Sequence, residues 1–443
     1  MKIELNTPLA RLSHALDYIV DNKVGLVGNV VEHPVEIDSP RFFRYSCNAG
    51  NTEAFGEYRN FAVGGGAAIT REMALAKTVG EAVERYCAAI YDKQEFVLAS
   101  YDEARFDCIE PAEFALYSDR QHEYAHFMFD PFLNSSRVRW VPATDLHRAS
   151  TVHVPAAMVY VPYFFYENGD ETPITQPIST GLSCHCSLEE ASIGGLCEVI
   201  ERDCFSITWQ ARLSRPQICQ DTLSAANRDL LRRFEQVGYR VFLIDIRNES
   251  GVPSVMAVAR HHGHFLPMVV AASTALSAEE AIRKALEELA HTERYAFQIK
   301  GEVPPVEPDP EFDNIAGQVD HVNFWTNPEM TQHAEFLFSS SERCDWRDME
   351  NFDKGTPKAS LAHLVERIGE TGYRALVCDI TSADVRQLGM VAVRALIPGY
   401  HPLFMGYHHR ALGGKRLWCV PQQLGFPGLD QASGDYPFPH PFP

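Results

Sequence analysis

The sequence has no apolar run that approaches the roughly 20 residues of a transmembrane helix. Residues 1–23, MKIELNTPLARLSHALDYIVDNK, contain no apolar stretch preceded by positive charge, so no signal peptide is predicted. The 11 cysteines are scattered, odd in number and without a Cys-x-x-Cys pair, which argues against a disulfide framework at this chain length. These absences predict a cytoplasmic protein with reduced thiols and no membrane attachment.

Basic residues are scarce. Lys and Arg number 39 against 59 Asp and Glu, which gives a formal net charge of -20. Non-specific binding to nucleic acids or to anionic membranes depends on basic patches, so neither is expected as the main activity. Nucleophile motifs of the serine and cysteine hydrolases are also absent. The 443 residues, of which 45% are hydrophobic, have the composition of a globular protein with a large core.

The most informative stretch present is SLEEASIGGLCEVIERD, from Ser187 to Asp203. Ser187 with Glu190 three residues later forms a capping box, which is typical of a helix start. An apolar stripe at helical spacing is formed by Ile193, Leu196 and Ile200. Glu190, Glu198 and Glu201 fall within roughly 80° of one another on a different face of that helix. The pattern predicts either a solvated acidic face or a cation site.

The same pattern occurs three times. The other copies are TREMALAKTVGEAVERY, which begins at Thr70, and SAEEAIRKALEELAHTERY, which begins at Ser277. In each copy a hydroxyl residue is followed by Ala four positions later, by Glu seven positions after that, and then by Glu or His three positions on. The resulting pairs are Glu81 with Glu84, Glu198 with Glu201, and Glu288 with His291. Since cap, alanine and acidic position recur in register, we predict three helices of one construction.

A second repeat relates residues 230–260 to residues 364–394. Each copy predicts a helix that ends at Gly, a strand around LIDI or VCDI, a turn region, and a strand that ends in AVAR or AVR. Repeated helix-strand-strand units predict an α+β fold with antiparallel or mixed sheets covered by helices, and internal pseudo-symmetry. Residues 301–355, rich in Pro, Asp and Glu, are expected to be a loop-rich connection. The apolar and aromatic stretch VHVPAAMVYVPYFF (152–165) is expected to form strand.

Before the first acidic helix we expect a short helix over Leu9–Asn22, an extended piece over 25–37, and strands over 42–50 and 59–69. The second of these strands contains Gly64, Gly65 and Gly66. We predict these glycines at the strand-to-helix turn, where the backbone can approach a ligand closely. A glycine triplet is weak evidence for a ligand contact, since an ordinary turn is its more frequent explanation.

The C-terminal residues are DYPFPHPFP, with proline at 437, 439, 441 and 443. This spacing forbids a helix and favours a stiff polyproline II segment, which would place its last residue about 20 Å from Tyr436. The alternatives are a mobile terminus and a ligand for a proline-binding module.

Two histidine-containing clusters remain open to several interpretations. Cys184, His185 and Cys186 suggest zinc, but adjacent residues suit one tetrahedral ion poorly and a paired spacing is missing. His408 and His409 are followed by Arg410, which suggests either a surface turn or a phosphate or substrate contact.

From about residue 60 onwards the chain resembles the YcaO family, enzymes that use ATP to modify peptide backbone amides. The resemblance depends on GEAVERY (80–86), STGLSCHCSLEEASIGGLCEVIERD (179–203), ALEELAH (285–291) and DITSADVRQLGMVAVRALIPG (379–399). It implies a short N-terminal segment (1–35), a YcaO-like ATP-binding catalytic domain (36–430) and a tail (431–443) that enters the active site. The tail resembles the signature of the azoline-forming branch, which converts Cys, Ser or Thr of a precursor peptide into thiazoline or oxazoline rings.

The resemblance implies ATP and Mg²⁺ as cofactors. It implies as metal ligands Glu81, Glu84, Glu198 and Glu201, and as nucleotide contacts Gly66, Arg85, Glu190, Arg202, Glu288 and His291. Because ATP is itself anionic, clustered carboxylates bind it only through divalent cations, and Mg²⁺ prefers hard oxygen ligands. The chain departs from the usual family pattern in three places: Cys186 replaces Asn, His291 replaces Gln, and VGGGAA (63–68) replaces a stretch of glycine and serine character before the first acidic helix. Glu190 has a second explanation, as the partner in its capping box.

The resemblance further implies that the free carboxylate of Pro443 exchanges protons during ring closure. A precursor peptide is the expected substrate, and a separate protein that resembles ubiquitin-activating enzymes is expected to present its leader, because 35 residues are too few for a fused presenting domain. A flavin dehydrogenase in the same complex and a homodimer are further expectations. The alternatives are thioamide or amidine formation by the same ATP chemistry, and a non-catalytic peptide-binding scaffold.

Overall fold

The structure is a computed structural model that describes residues 7–56, 58–60, 63–165, 169–263 and 265–443. Its α-helices are α1 (Pro8–Ile19), α2 (Arg71–Ala88), α3 (Asp119–His122), α4 (Leu188–Gln210), α5 (Ala225–Glu235), α6 (Ala278–Glu302), α7 (Gln318–Trp325), α8 (Pro357–Glu370), α9 (Ala383–Gln387) and α10 (Arg416–Gln423). Its strands are β1 (Val27–His33), β2 (Phe43–Ala49), β3 (Val63–Ala68), β4 (Val97–Ala99), β5 (Val138–Asp145), β6 (Ser150–Pro155), β7 (Leu182–His185), β8 (Gln217–Ile218), β9 (Arg240–Asp245), β10 (Ser254–Arg260), β11 (Met268–Thr274), β12 (Arg343–Cys344), β13 (Leu376–Asp379) and β14 (Val391–Leu396). Within the described residues, no helix combines the length and apolarity needed to cross a membrane.

The chain forms two compact units, each assembled from separated segments. The first unit contains the residues through Pro34, Phe43–Val199 and Gly355–Pro398. The second unit contains Val35–Phe42, Ile200–Lys354 and Gly399–Pro443. The boundary predicted after residue 35 falls where the chain passes from the first unit to the second. The boundary predicted after residue 430 falls inside the last segment of the second unit.

The sheets are antiparallel or mixed, as the sequence predicted. The first unit has a three-stranded sheet of order β1-β2-β3 and a six-stranded sheet of order β4-β5-β13-β14-β7, with β6 paired to β5. All their pairs are antiparallel. The second unit has a five-stranded sheet of order β11-β10-β9-β8-β12, in which only β8 and β12 run parallel among its described pairs. The α+β class is therefore confirmed.

Each acidic helix follows a strand at the end of a sheet. Strand β3 leads into α2, β7 into α4 and β11 into α6. The hydroxyls of Thr70, Ser187 and Ser277 each accept a hydrogen bond from the backbone N–H three residues on, which satisfies an amide that has no partner within the helix. The donors are Met73, Glu190 and Glu280, at 3.2, 3.2 and 3.3 Å. The predicted threefold repeat is confirmed, and its structural unit is an edge strand followed by a capped helix.

The second repeat is also confirmed. Helix α5 with β9 and β10 forms one copy, and α8 with β13 and β14 forms the other; the two strands pair antiparallel in both. One copy lies in each unit, and the second carries the extra helix α9 in its turn region. In each sheet the next strand beyond the repeat, β11 or β7, is the one that leads into an acidic helix.

Two sequence expectations about chain segments need correction, one because it was incomplete and the other because it was wrong. Residues 301–355 are more than a loop, because they contain α7 and the 3-10 helix Pro328–Leu337, and α7 buries His321, Phe324 and Trp325. The strand expected over 152–165 ends at Pro155 and gives way to the 3-10 helix Ala156–Met158. Most of the aromatic and apolar side chains that follow Pro155 are buried although their backbone is irregular. The apolar pattern therefore indicated burial correctly but not a strand.

The glycine triplet lies inside β3, not in the turn that the sequence predicted. Gly64 and Gly66 pair with Cys47 and Tyr45 of β2. A Cβ added at Gly66 would meet the Lys77 Cβ at 2.8 Å, and one at Gly64 would meet the Thr78 carbonyl oxygen at 3.0 Å. The glycines therefore allow the backbone of α2 to pack closely on the strand.

A similar close approach holds α4 against the six-stranded sheet. Gly181 precedes β7 with φ of +90°, and its carbonyl accepts the Ala395 N–H at 2.8 Å. A Cβ added at Gly195 of α4 would lie 2.7 Å from that carbonyl oxygen and 2.8 Å from the Ala395 Cβ. The helix can lie at this distance from the strands only with glycine at position 195.

We expect Gly195→Ala to lower the free energy of unfolding by about 1–3 kcal/mol, because the added methyl overpacks a backbone contact. Gly80→Ala in α2 is the matched control, since a Cβ there meets no atom within 4 Å. Alanine is the better helix former, so the control should be neutral or stabilising by up to about 1 kcal/mol. Urea unfolding followed by circular dichroism measures both. Equal effects of the two variants would contradict the packing argument.

Candidate functional site

Three of the predicted metal ligands lie in the first unit: Glu81 and Glu84 on α2, and Glu198 on α4. Each carboxylate accepts a backbone N–H from a strand or its entry. The pairs are Gly65 N with Glu81 Oε2 at 2.6 Å, Cys184 N with Glu84 Oε1 at 2.8 Å, and Gly181 N with Glu198 Oε2 at 3.1 Å. The amides of β3, of β7 and of the residue that precedes β7 therefore orient the carboxylates of the helices.

The charges of Glu81 and Glu198 repel that of Glu84. Desolvation raises the pKa of Glu84 well above its usual value, and the charges of Glu198 and then Glu81 raise this pKa further. The Cys184 N–H and the Arg85 guanidinium act in the opposite direction but do not cancel the effect. Like charges held together at a partly desolvated position are stabilised by a bound cation. The donor set, three carboxylates, is chemically suited to Mg²⁺.

Two arginines accompany this cluster. Arg85, predicted as a nucleotide contact, donates to the Glu81 carboxylate and to the Val63 carbonyl. Arg394 on β14 had no predicted role, although it lies in a stretch that carries the family resemblance. It is 4% exposed and donates to the Ile178 carbonyl at 2.7 Å. Burial lowers the pKa of Arg394 to about 10, while the negative charge of Glu198 opposes this shift. The sequence feature that could have identified Arg394 is its position as a single charged residue within the apolar run VAVRALIP.

Glu190 is engaged at the start of α4. Its Oε2 accepts from the Ser187 hydroxyl at 2.8 Å and lies 2.8 Å from the His185 Nδ1. These contacts match the capping interpretation of Glu190, and its predicted nucleotide contact stays a prediction. Gly66 likewise stays a predicted contact, although its Cα faces α2.

Over the described ranges, no group of three or more His, Cys, Asp or Glu side chains is gathered into a ready metal site. The zinc interpretation of Cys184, His185 and Cys186 therefore has no structural support. Mg²⁺ differs from zinc in this respect, since it is usually held by one or two carboxylates, with substrate phosphates and waters as its remaining ligands. The acidic cluster fits that mode of binding.

In the second unit, Glu201 on α4 is 8% exposed and accepts the Thr274 N–H at 3.0 Å, at the end of β11. Arg202 donates to the Glu201 carboxylate, and its guanidinium lies 4.5 Å from the centroid of the Phe442 ring. Arg202 therefore connects a predicted metal ligand to the C-terminal segment.

On α6 the predicted residues Glu288 and His291 lie one turn apart, with 3.8 Å between Oε2 and Nδ1, and both are partly exposed. The preceding residue, Glu287, was not predicted. It is fully buried and pairs with Arg283 at 2.7 Å. In the sequence, Arg283 and Glu287 are four residues apart, which is typical of an ion pair on a helix. This spacing does not indicate that Glu287 is buried.

The C-terminal segment is docked in the second unit. The indole N–H of Trp209 donates to the Phe438 carbonyl at 2.9 Å, and that of Trp325 to the Pro439 carbonyl at 3.0 Å. Residues 439–442 are buried and Pro443 is partly buried. The interpretations as a mobile terminus or as an exposed ligand for a proline-binding module are therefore wrong. Arg410, one of the residues for which the sequence suggests a phosphate or substrate contact, forms an ion pair with Asp435 at 2.9 Å.

Apart from Gly66, which lies in β3, the predicted residues occupy four places. The first unit gathers Glu81, Glu84, Arg85 and Glu198, while Glu190 stays at its cap. In the second unit, Glu201 and Arg202 lie beside the tail, and Glu288 with His291 occupies α6.

Two comparisons with sequences agree with these observations. A family model described as YcaO cyclodehydratase, ATP- and Mg²⁺-binding, matches residues 65–401. An uncharacterized protein of Methanothermobacter thermautotrophicus is 28% identical over 341 residues, which are 75% of this chain and 80% of that protein.

Two solved structures share the fold. A heterocyclase in complex with substrate and cofactor aligns with a TM-score of 0.78 and 20% identity, over 99% of this chain and 57% of that one. YcaO from Methanopyrus kandleri, bound with AMPPCP and Mg²⁺, aligns with a TM-score of 0.63 and 24% identity, over 89% of this chain and 91% of that one. The chain therefore spans little more than half the length of the heterocyclase.

The family and fold inferred from the sequence are confirmed, and the ATP and Mg²⁺ predicted as cofactors are those that the family description gives. The match covers well over half of the residues, including all three acidic helices. This chain belongs to the YcaO cyclodehydratase family and binds ATP and Mg²⁺.

Proposed function

We propose that this protein is an ATP-dependent peptide cyclodehydratase that converts Cys, Ser or Thr residues of a ribosomal precursor peptide into azoline rings. The observation that carries the proposal is the carboxylate cluster of Glu81, Glu84 and Glu198, in which Glu84 is desolvated and repelled by the other two, and each carboxylate is oriented by a backbone amide. An acidic cluster of this kind binds a triphosphate only through Mg²⁺.

In the reaction, the substrate side chain attacks the carbonyl carbon of the preceding amide, and the amide oxygen leaves as phosphate, so that one water is lost per ring. When bound, ATP supplies the phosphoryl group that makes this oxygen a leaving group, and Mg²⁺ neutralises its charge. The chain would hold the metal through Glu81, Glu84, Glu198 and Glu201. The nucleotide contacts we propose are Gly66, Arg85, Glu190, Arg202, Glu288 and His291.

The strand amides keep these carboxylates preorganised. Because the N–H groups of Gly65, Cys184 and Gly181 each occupy one lone pair, the carboxylates cannot rotate freely, and the remaining oxygen atoms keep one orientation. Preorganised charges of this kind need little rearrangement when a ligand arrives.

We further propose that the free carboxylate of Pro443 takes and returns protons during ring closure. The docking of residues 438–442 supports this, since two indole-carbonyl hydrogen bonds and a buried Phe442 restrict where the following residue can lie. A terminal carboxylate held in this way is restricted to a small volume, which is what positioning of a reacting group requires.

Partners are part of the proposal. The substrate is a precursor peptide, and a separate protein that resembles ubiquitin-activating enzymes presents its leader. A flavin dehydrogenase acts in the same complex, the chain forms a homodimer, and the complex is cytoplasmic. The heterocyclase that shares the fold was solved with its substrate and cofactor, and its chain extends beyond the matched part.

The product is tested by mass spectrometry with a precursor peptide, ATP, Mg²⁺ and the presenting partner. We expect loss of one water per modified residue. Glu198→Gln should lower this rate by about 100-fold or more, because it removes a negative charge that would hold the metal at the phosphoryl group. Glu189→Gln on the same helix is the charge-matched control and should leave the rate unchanged. Exchange of oxygen for sulfur would indicate thioamide formation, and an unmodified peptide without ATP hydrolysis would indicate a scaffold.

Glu84→Gln separates stability from binding. Because the pKa of Glu84 is raised in the folded chain, its ionisation at a pH above the ordinary pKa of 4.5 destabilises the folded state relative to the unfolded state. The neutral amide should therefore stabilise the nucleotide-free protein by about 1 kcal/mol at pH 7.5, and this gain should shrink as the pH falls towards 4.5. ATP affinity in Mg²⁺ should fall at least about tenfold.

Thermal unfolding across this pH range and calorimetric titration with ATP measure these two effects. The exposed Glu72→Gln on the same helix is the control for both. A variant that is less stable at pH 7.5, or that binds ATP normally, would refute the role of Glu84.

The tail is tested by adding one alanine after Pro443. The extra residue moves the carboxylate away, so we expect cyclisation to fall by about 100-fold while ATP affinity stays within about twofold. Addition of alanine before Met1 is the control. Unchanged cyclisation would remove the proposed role of the Pro443 carboxylate.

A further inference from the structure

Two histidines stack inside the second unit where the tail is docked. His440 of the tail and His321 of α7 have ring centroids 4.0 Å apart with planes inclined by 13°, and both are 0% exposed. The rings of Phe404 and Phe205 enclose His440 edge-on, at 4.6 and 5.9 Å. The pair is therefore sealed from water by aromatic side chains.

All four ring nitrogens have a backbone partner. His321 Nδ1 donates to the His440 carbonyl at 3.1 Å, and its Nε2 accepts the Gly406 N–H at 3.3 Å. His440 Nε2 donates to the Phe404 carbonyl at 2.8 Å, and its Nδ1 accepts the Phe442 N–H at 3.2 Å. A neutral imidazole has one donor and one acceptor nitrogen, which matches both rings in opposite tautomers.

A protonated ring does not fit this arrangement. An imidazolium carries N–H on both nitrogens, so that one N–H would face the amide of Gly406 or of Phe442. Arg202 of α4 disfavours a positive charge on His440, and the His440 ring disfavours one on His321. Burial lowers the pKa of His440 to about 4 and that of His321 well below its ordinary value.

We propose that His321 and His440 are positioning residues that hold residues 438–443 in place as a neutral stacked pair, and that protonation of the pair releases this segment. The inference rests on the proposed role of the tail in catalysis, but docking itself can be measured without any activity. His440 fixes the segment between the two indole-bonded carbonyls and Phe442, so its loss would free the residues that follow.

The direction of the pH dependence follows from linkage. In the released segment both rings have an ordinary pKa of about 6.5, whereas the docked rings resist protonation. Docking is therefore at full strength above pH 6.5 and weakens as the pH falls towards about 4. Each proton taken up on release changes the docking equilibrium up to about tenfold per pH unit, and two protons change it up to about a hundredfold.

Trp209 and Trp325 report docking directly, because their indoles bond to the tail and are at most 2% exposed. We expect acrylamide quenching of tryptophan fluorescence in the full-length protein to rise reversibly between pH 7 and pH 4.5, with a slope that approaches two protons. Far-UV circular dichroism over the same range follows the fold itself. The double variant Trp209→Phe with Trp325→Phe should lose the response.

His440→Gln keeps a donor for the Phe404 carbonyl but takes up no proton, so the slope should fall from two protons to one. The exposed His262→Gln in the same unit is the matched control and should keep the two-proton slope. Quenching that is independent of pH, or a slope that His440→Gln leaves unchanged, would overturn the inference. Nitrogen-15 NMR of histidine-labelled wild-type protein adds a test without mutation: the expected tautomers are Nδ1–H for His321 and Nε2–H for His440, and a charged ring at pH 7 would overturn the inference.

Cyclisation measured over the same pH range distinguishes this inference from the proposed function. Quenching with the expected slope in a protein that never cyclises a peptide would refute the function and support the docking pair. Full cyclisation at a pH where quenching shows the segment released would overturn the positioning role. A cyclisation rate that falls with pH in parallel with docking, and whose pH dependence His440→Gln shifts in the same way, supports both the proposed function and the docking inference.

Discussion

The structure depends on holding like charges close together. Glu84 is repelled by Glu81 and Glu198, and in the protein interior this repulsion is stronger than in water. The fold tolerates it because each carboxylate accepts a strand N–H and because Arg85 and Arg394 supply positive charge. These partners moderate the repulsion without neutralising it, so the arrangement favours any ligand that brings divalent charge. Stability is thereby sacrificed for affinity, as is common at functional sites.

The repeated element explains how one chain builds this arrangement. A strand at the end of a sheet has one row of backbone N–H groups that no further strand uses. When the chain turns directly from that strand into a capped helix, glutamates on the helix lie within reach of those amides. The hydrogen bonds from Gly65 of β3 to Glu81 of α2, and from Gly181 just before β7 to Glu198 of α4, are the result. The same residues that look like a solvated acidic stripe in the sequence therefore become oriented ligands in the fold.

Sequence patterns predicted the features that depend on neighbours along the chain. Helix starts at Thr70, Ser187 and Ser277, the acidic register and the helix-strand-strand repeat are local, and each was found. Features that depend on distant partners were missed. Gly64 and Gly66 allow close packing against α2. Arg394 is buried because of a strand order that the sequence does not reveal. Helix α7 contacts the tail through His321 and Trp325. The residue types at these positions were visible in the sequence, but their contacts are with residues distant in the chain and only the structure shows them.

The order of strands in the six-stranded sheet has a consequence for biosynthesis. Strand β13 lies between β5 and β14, although more than 200 residues of sequence separate β5 from it. Until residues 376–396 have left the ribosome, β13 and β14 are not available to pair with β5 and β7, and the apolar faces of these two strands stay exposed to solvent. The nascent chain must therefore be protected for most of its synthesis, by a chaperone or by transient collapse. Shortened chains that end before β13 are expected to aggregate because they cannot assemble a reduced version of the first unit.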